Sequence, residues 1–128
     1  MSNNAYLTRI DQILDAQTKA MGDFTRILLE NPPRAMEWAD TTFWAAAQIE
    51  LCNQIKSHFG DVDAGEEITI ESLQHVLATL ESNLMNAARY VNTHSTSQST
   101  NLMQRNRTAA LSEEVDFLRR FIRCAKKA

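Results

Sequence analysis

Residues 32–59, PPRAMEWADTTFWAAAQIELCNQIKSHF, decide how the rest of the chain is read. The stretch carries both tryptophans, two of the five phenylalanines and an Ala45-Ala46-Ala47 run, and it stops at Gly60. At about 100° per residue, Met36, Phe43, Trp44, Ala47, Leu51 and Ile55 fall on one helical face. Trp38, Ala45, Ile49 and Cys52 fall on another, roughly opposite. A helix that is apolar on two sides needs cover on two sides. The spacing therefore predicts a central helix over about 33–59. It is either enclosed by its own bundle or shared between that bundle and a partner. Trp38 and Trp44 lie roughly 120° apart on such a helix, more than one core readily takes. With Ile49 they are candidate partner-binding residues.

Working outward, the preceding segment predicts a helix over about 4–30. Leu7, Ile10, Leu14, Gln17, Met21, Phe24 and Leu28 form a seam with 3–4 spacing, widened by Ile13, Ala20 and Ile27. Asn31-Pro32-Pro33 ends it, because a residue before proline is driven out of the α region, while Pro33 suits the first turn of the next helix. So short a joint implies an antiparallel hairpin, with Gln17 near Ala47 and Leu14 near Leu51. Asp40, Gln54 and His58 intrude on the apolar face of 33–59 and call for hydrogen-bond partners if buried.

Beyond the acidic stretch GDVDAGEE at 60–67, Thr69 is placed to cap a third helix over about 69–92. Its staple is Ile68 with Leu73, and its seam is Leu73, Leu77, Leu80, Leu84, Ala87 and Val91. Residues 93–107 are dominated by small and polar side chains and predict a flexible polar link. A fourth helix over about 108–127 has Leu111, Val115, Leu118, Ile122 and Ala125 on its buried line and Glu113 and Glu114 in its first turn. The expected fold is all-α: a single domain resembling an antiparallel four-helix bundle, with a basic C-terminal helix.

Composition agrees with that class. The chain has 128 residues, 44% of them apolar, with only three glycines and two prolines, which suits long helices and a core needing no metal or disulfide. Cys52 and Cys124 are distant in sequence and read as buried free thiols. The N-terminal MSNNAYLTRIDQ lacks the features of a secretion signal, and no apolar run approaches the ~20 residues of a membrane span, so a cytoplasmic protein is expected.

The net charge of −3 divides unevenly, −7 over residues 1–100 and +4 over 101–128. Arg119, Arg123 and Lys126 share one face of the last helix and are the basic candidates for partner binding. The stripe either docks on the acidic body or recognises an acidic partner. Nucleic acid is the less favoured of its ligands, since the remainder of the chain is acidic and few aromatics lie nearby.

Motifs for chemistry are missing. Asp61 and Asp63 fit the first positions of a calcium loop, but Gly65 and Ser72 then fall where ligands are required. His58 and His75 flank the same connection and, with Asp61, are the one candidate zinc set. There is no C-x-x-C, glycine-rich phosphate loop, G-x-S-x-G or H-E-x-x-H. The chain is therefore read as non-enzymatic, without cofactor, and acting through a protein partner or a second copy of itself.

Residues 24–50, FTRILLENPPRAMEWADTTFWAAAQIE, resemble a pattern in phasins and in the helical N-terminal region of polyhydroxyalkanoate synthases. In both, a helix ends at an Asn-Pro or Asp-Pro step and a second helix follows with an aromatic pair. Here the matching residues are Leu28, Asn31, Pro32, Ala35 and Phe43-Trp44. The resemblance covers about a fifth of the chain and implies an amphipathic protein coating a polymer granule. It is the alternative to an adaptor, small subunit or chaperone-like binder.

Overall fold

The computed structural model describes residues 2–60, 66–93 and 98–127, with the side chains of 90–93 and 98–101 excepted. The described chain is all-α. It consists of α1 (Ala5–Glu30), α2 (Pro32–Glu37), α3 (Ala39–Ser57), α4 (Ile70–Thr93) and α5 (Gln98–Lys127). α1 packs along α3, α4 along α5, and α3 against α5. The two apolar sides of α3 thus face α1 and α5, so both receive cover from the chain itself.

Five helices replace the expected four because 33–59 is broken at Trp38. That residue leaves helical geometry at φ −99°, ψ 6°, in the bridge region. Its N–H donates to Ala35 O at 3.0 Å, and its carbonyl accepts from Thr42 N at 2.9 Å. The 100° phase does not carry across this break. Met36, counted onto the Phe43–Ile55 face, is consequently 74% exposed. Upstream, Asn31 is extended at φ −149°, as a residue before proline must be, and its Oδ1 accepts from Arg34 N at 3.4 Å.

The core joins Tyr6 and Ile10 of α1, Leu51, Cys52 and Ile55 of α3, Leu73, Val76 and Leu80 of α4, and Val115, Leu118 and Ile122 of α5. Phe59 and Ile68 close it at the α3–α4 connection. Large buried apolar side chains are more numerous on α5, with Leu111, Val115, Leu118, Phe121 and Ile122, than on α3, with Leu51 and Ile55, so the core is not centred on the 33–59 stretch alone. Asp40, Gln54 and His58 are all exposed, and none needs a buried partner. Cys52 is buried as expected, but Cys124 is exposed near the end of α5.

Residues 98–107, expected in the polar link, instead form the first turns of α5. Tertiary contacts supply what propensity lacks there. Met103 packs against the core, Asn106 Nδ2 donates to Asp40 Oδ1 at 3.2 Å, and Arg107 meets Glu50 at 3.0 Å. Residues 94–97 of the expected link lie outside the described residues, as does the side chain of Val91.

At the opposite end, the start of α1 clamps the approach to α4. Asn4 accepts from Ile68 N through Oδ1 and donates through Nδ2 to Glu66 O, both at 2.8 Å. Asn3 Nδ2 donates to Ile68 O at 2.8 Å. Thr69 then caps α4, its Oγ1 accepting from Ser72 N at 3.1 Å. Asn4→Ala removes two bonds and orphans the N–H of a buried residue. It is expected to lower the unfolding free energy by about 1–3 kcal/mol in urea titrations. A loss below about 0.5 kcal/mol would show that the clamp contributes nothing.

Candidate functional site

A seam of 3–4 spacing runs through α5 as Leu111, Val115 and Leu118, and Glu114 sits directly within it. Glu114 is 4% exposed and is the one buried charged residue among the described residues. Burying a carboxylate alone costs several kcal/mol, so its partners are the first question. Arg9 of α1 supplies one: its Nη1 donates to both carboxylate oxygens, at 2.6 Å to Oε2 and closer still to Oε1. Tyr6 Oη donates to Oε2 at 3.1 Å. The Arg9 guanidinium also lies 3.5 Å from the centroid of the Phe117 ring, a cation–π contact. Phe117 stacks with Tyr6 at 6.2 Å, and Phe121 lies 5.7 Å from Tyr6 and 6.2 Å from Phe117, so the three rings form a triangle.

Both oxygens of Glu114 are therefore occupied, and the cluster locks α1 to α5 without offering a free acid or base. Burial pushes the Tyr6 hydroxyl well above its usual range, and the Glu114 charge adds to that. The Cys52 thiol is pushed up to about 11, again by burial first and Glu114 second, which makes it an inert core thiol at neutral pH. Glu113 and Glu114, expected at a helix start, lie mid-helix because α5 begins at Gln98. Tyr6 and Arg9 did not stand out in the sequence. The available signal was Glu114 itself, a charge three residues after Leu111 and four before Leu118, with Tyr6 four before Ile10.

The candidate residues named from the sequence do not converge. Trp38 is half-buried at the α2–α3 break, with the Arg34 guanidinium 6.0 Å from its ring centroid. Trp44 is half-buried and packs on the core. It also lines a cleft of about 260 Å³ with Arg9, Gln17 and Gln48. Ile49 is half-buried further along α3. Arg119 is held by Glu81 of α4 at 3.3 Å and reaches Asp116 at 3.9 Å. Arg123 and Lys126 are exposed, with no ion-pair partner among the described residues.

His58 and His75 do approach, their ring centroids 6.1 Å apart in an edge-on arrangement. Asp61, the third member of that set, lies outside the described residues. Among the described residues, no three His, Cys, Asp or Glu side chains gather as a metal site.

Of the four large exposed apolar side chains among the described residues, Met85 stands alone on α4 and three flank the α1–α2 corner. Leu28 is 45%, Leu29 81% and Met36 74% exposed, all within nine residues of the α1–α2 corner, next to half-buried Trp38. Leu28, expected on the α1 seam, faces outward because the buried position at this end of α1 is Ile27. No described helix is long and apolar enough to cross a membrane. Comparison with protein-family models, with characterised proteins and with solved structures gave no match.

Proposed function

We propose that this chain is a non-catalytic interaction protein, an adaptor or small subunit that docks a protein partner through the α1–α2 corner. The observation that carries this reading is the exposure of Leu28, Leu29 and Met36 together at that corner. Large apolar side chains scattered singly need no explanation, but three within nine residues beside a tryptophan resemble the anchor of an interface. In this reading α3 is the scaffold, since its two apolar faces are taken by α1 and α5, and Trp38 contributes the rim of the contact. Its architecture is that of an antiparallel four-helix bundle whose second helix is bent at Trp38. Arg123 and Lys126, at the end of α5, form a secondary surface for acidic groups.

The test is the double substitution Leu29→Asp/Met36→Asp. Both side chains are solvent-exposed, so melting is expected to change little. Association of the wild-type chain, followed by sedimentation and by recovery of bound partner from source cells, is expected to drop by about tenfold or more. A wild-type chain that sediments as a monomer and recovers no partner sinks the reading. Recovery of polymer granules through the same corner, in place of a protein, would transfer it to the phasin-like alternative.

A further inference from the structure

A second cleft, of about 260 Å³, opens between α3, α4 and α5, away from the α1–α2 corner. At about 30 Å³ per water it holds a few small groups, which is below the size of nucleotide or drug-sized sites. Five polar side chains converge on it from three helices: Glu50 and Gln54, Asn83 and Asn86, and Arg107. Its floor is apolar, formed by Ala47, Leu51, Ala87 and Leu111. This combination, an apolar floor with a few convergent polar groups, is the general form of a small-molecule site.

One atom in it is out of balance. Arg107 Nε is buried and has no hydrogen-bond partner among the described residues. Buried donors are nearly always satisfied, and an orphan costs about 1–3 kcal/mol. Glu50 takes only Nη2 of the same guanidinium, at 3.0 Å. Nε and Nη2 lie along one edge of the rigid fork, so an oxygen reaching Nε must sit close to the Glu50 carboxylate. A simple anion in that position is repelled by Glu50, and a simple cation is repelled by Arg107. A ligand that carries both signs a few bonds apart answers both charges. The amides of Gln54, Asn83 and Asn86 make no side-chain hydrogen bonds among the described residues and can donate or accept toward it.

We propose that this cleft binds a free α-amino acid, with the ligand carboxylate on the Nε edge of Arg107 and its ammonium on Glu50. The α-substituent lies on the Ala47–Leu111 floor, which selects a small aliphatic side chain over a large or charged one. The site is independent of the docking corner.

The experiment is an NMR amide titration of the full chain with L-alanine, against acetate and methylammonium as probes carrying one sign each. L-Alanine is expected to give saturable shifts at Ala47, Leu51, Ala87 and Leu111, with half-saturation at about millimolar concentration. Acetate and methylammonium are expected to bind about tenfold more weakly, each lacking one charge-assisted contact. Glu50→Gln and Arg107→Gln should each weaken L-alanine by about tenfold while the fold is kept, because the pair is partly exposed and Met103 and the Asn106–Asp40 bond still hold the start of α5. Should Arg107→Gln unfold the chain, Glu50→Gln alone decides the matter. Three results overturn the proposal: no saturable shift with L-alanine up to about 50 mM, acetate binding as tightly as L-alanine, or Glu50→Gln binding like the wild type.

Discussion

Glu114→Ala is expected to lower the unfolding free energy by about 3 kcal/mol, at the low end of the roughly 3–5 kcal/mol lost on breaking a buried ion pair. The low end follows from the asymmetry of its partners. Arg9 is 30% exposed along its side chain and can turn its charge toward water. Tyr6 is fully buried, and its hydroxyl makes no other hydrogen bond among the described residues. The loss is a statement about orphaned partners rather than about the strength of the pair. The triple change Tyr6→Phe/Arg9→Met/Glu114→Leu removes every polar member and keeps similar volume. It is therefore expected to recover most of the stability and to match the wild type within about 1 kcal/mol. Urea denaturation of the three proteins reads both effects. If Glu114→Ala costs under about 1 kcal/mol, the cluster does not hold α1 to α5.

That cluster also shows where sequence periodicity stops being informative. The seams of α4 and α5 were legible because apolar residues recur every three or four positions, and Leu73, Leu80, Leu111, Val115, Leu118 and Ile122 are the buried residues the pattern names. The joint at Asn31-Pro32 was legible because proline chemistry acts locally. Three features depend on tertiary contacts and were not. The first turns of α5 have little apolar content, and are held by Met103, by Asn106 on Asp40 and by Arg107 on Glu50. The break at Trp38 leaves no composition signature, and a 100° count passed through it places Met36 on the wrong face. Glu114 is a charge whose burial depends on a residue 105 positions earlier in the chain, which no window around it contains.

The candidate sites divide in the same way. Arg119, Arg123 and Lys126 do share the exposed side of α5, as spacing requires, but Arg119 is engaged by Glu81 from a different helix. Trp38 and Trp44 stood out for their size, and the break between them places them on separate helical phases. The exposed apolar corner was hidden because Leu28 fits the α1 seam by spacing. Spacing admits both Ile27 and Leu28 to the seam, and of the two it is Ile27 that is buried.

Alkaline pH is expected to weaken the fold through two of the core groups described above. Cys52 is neutral when protonated, and the folded chain holds its proton up to about 11, against an ordinary value of 9.0. Tyr6 is likewise held above its ordinary value of 10.0, by burial first and then by the Glu114 charge. For both, the native state binds the proton more tightly than the unfolded chain does. Their stabilising contribution is thus fully present below the unfolded value and is lost as pH rises toward and through the folded one. At pH about 11 the loss is on the order of 2 kcal/mol from Cys52, and Tyr6, whose proton is also held more tightly in the native state, adds to it in the same direction. Urea midpoints measured at pH 8 and at about 11 should fall steeply for the wild type. In Tyr6→Phe/Cys52→Ala the fall should be much shallower. The cavity left by Cys52→Ala and the hydroxyl lost with Tyr6→Phe lower stability by amounts that do not vary with pH below about 9, so the slope isolates the titration. A double variant that loses stability with pH as steeply as the wild type would place the alkaline sensitivity elsewhere, with the exposed Lys56–Asp11 pair, 2.7 Å apart, the next group to examine.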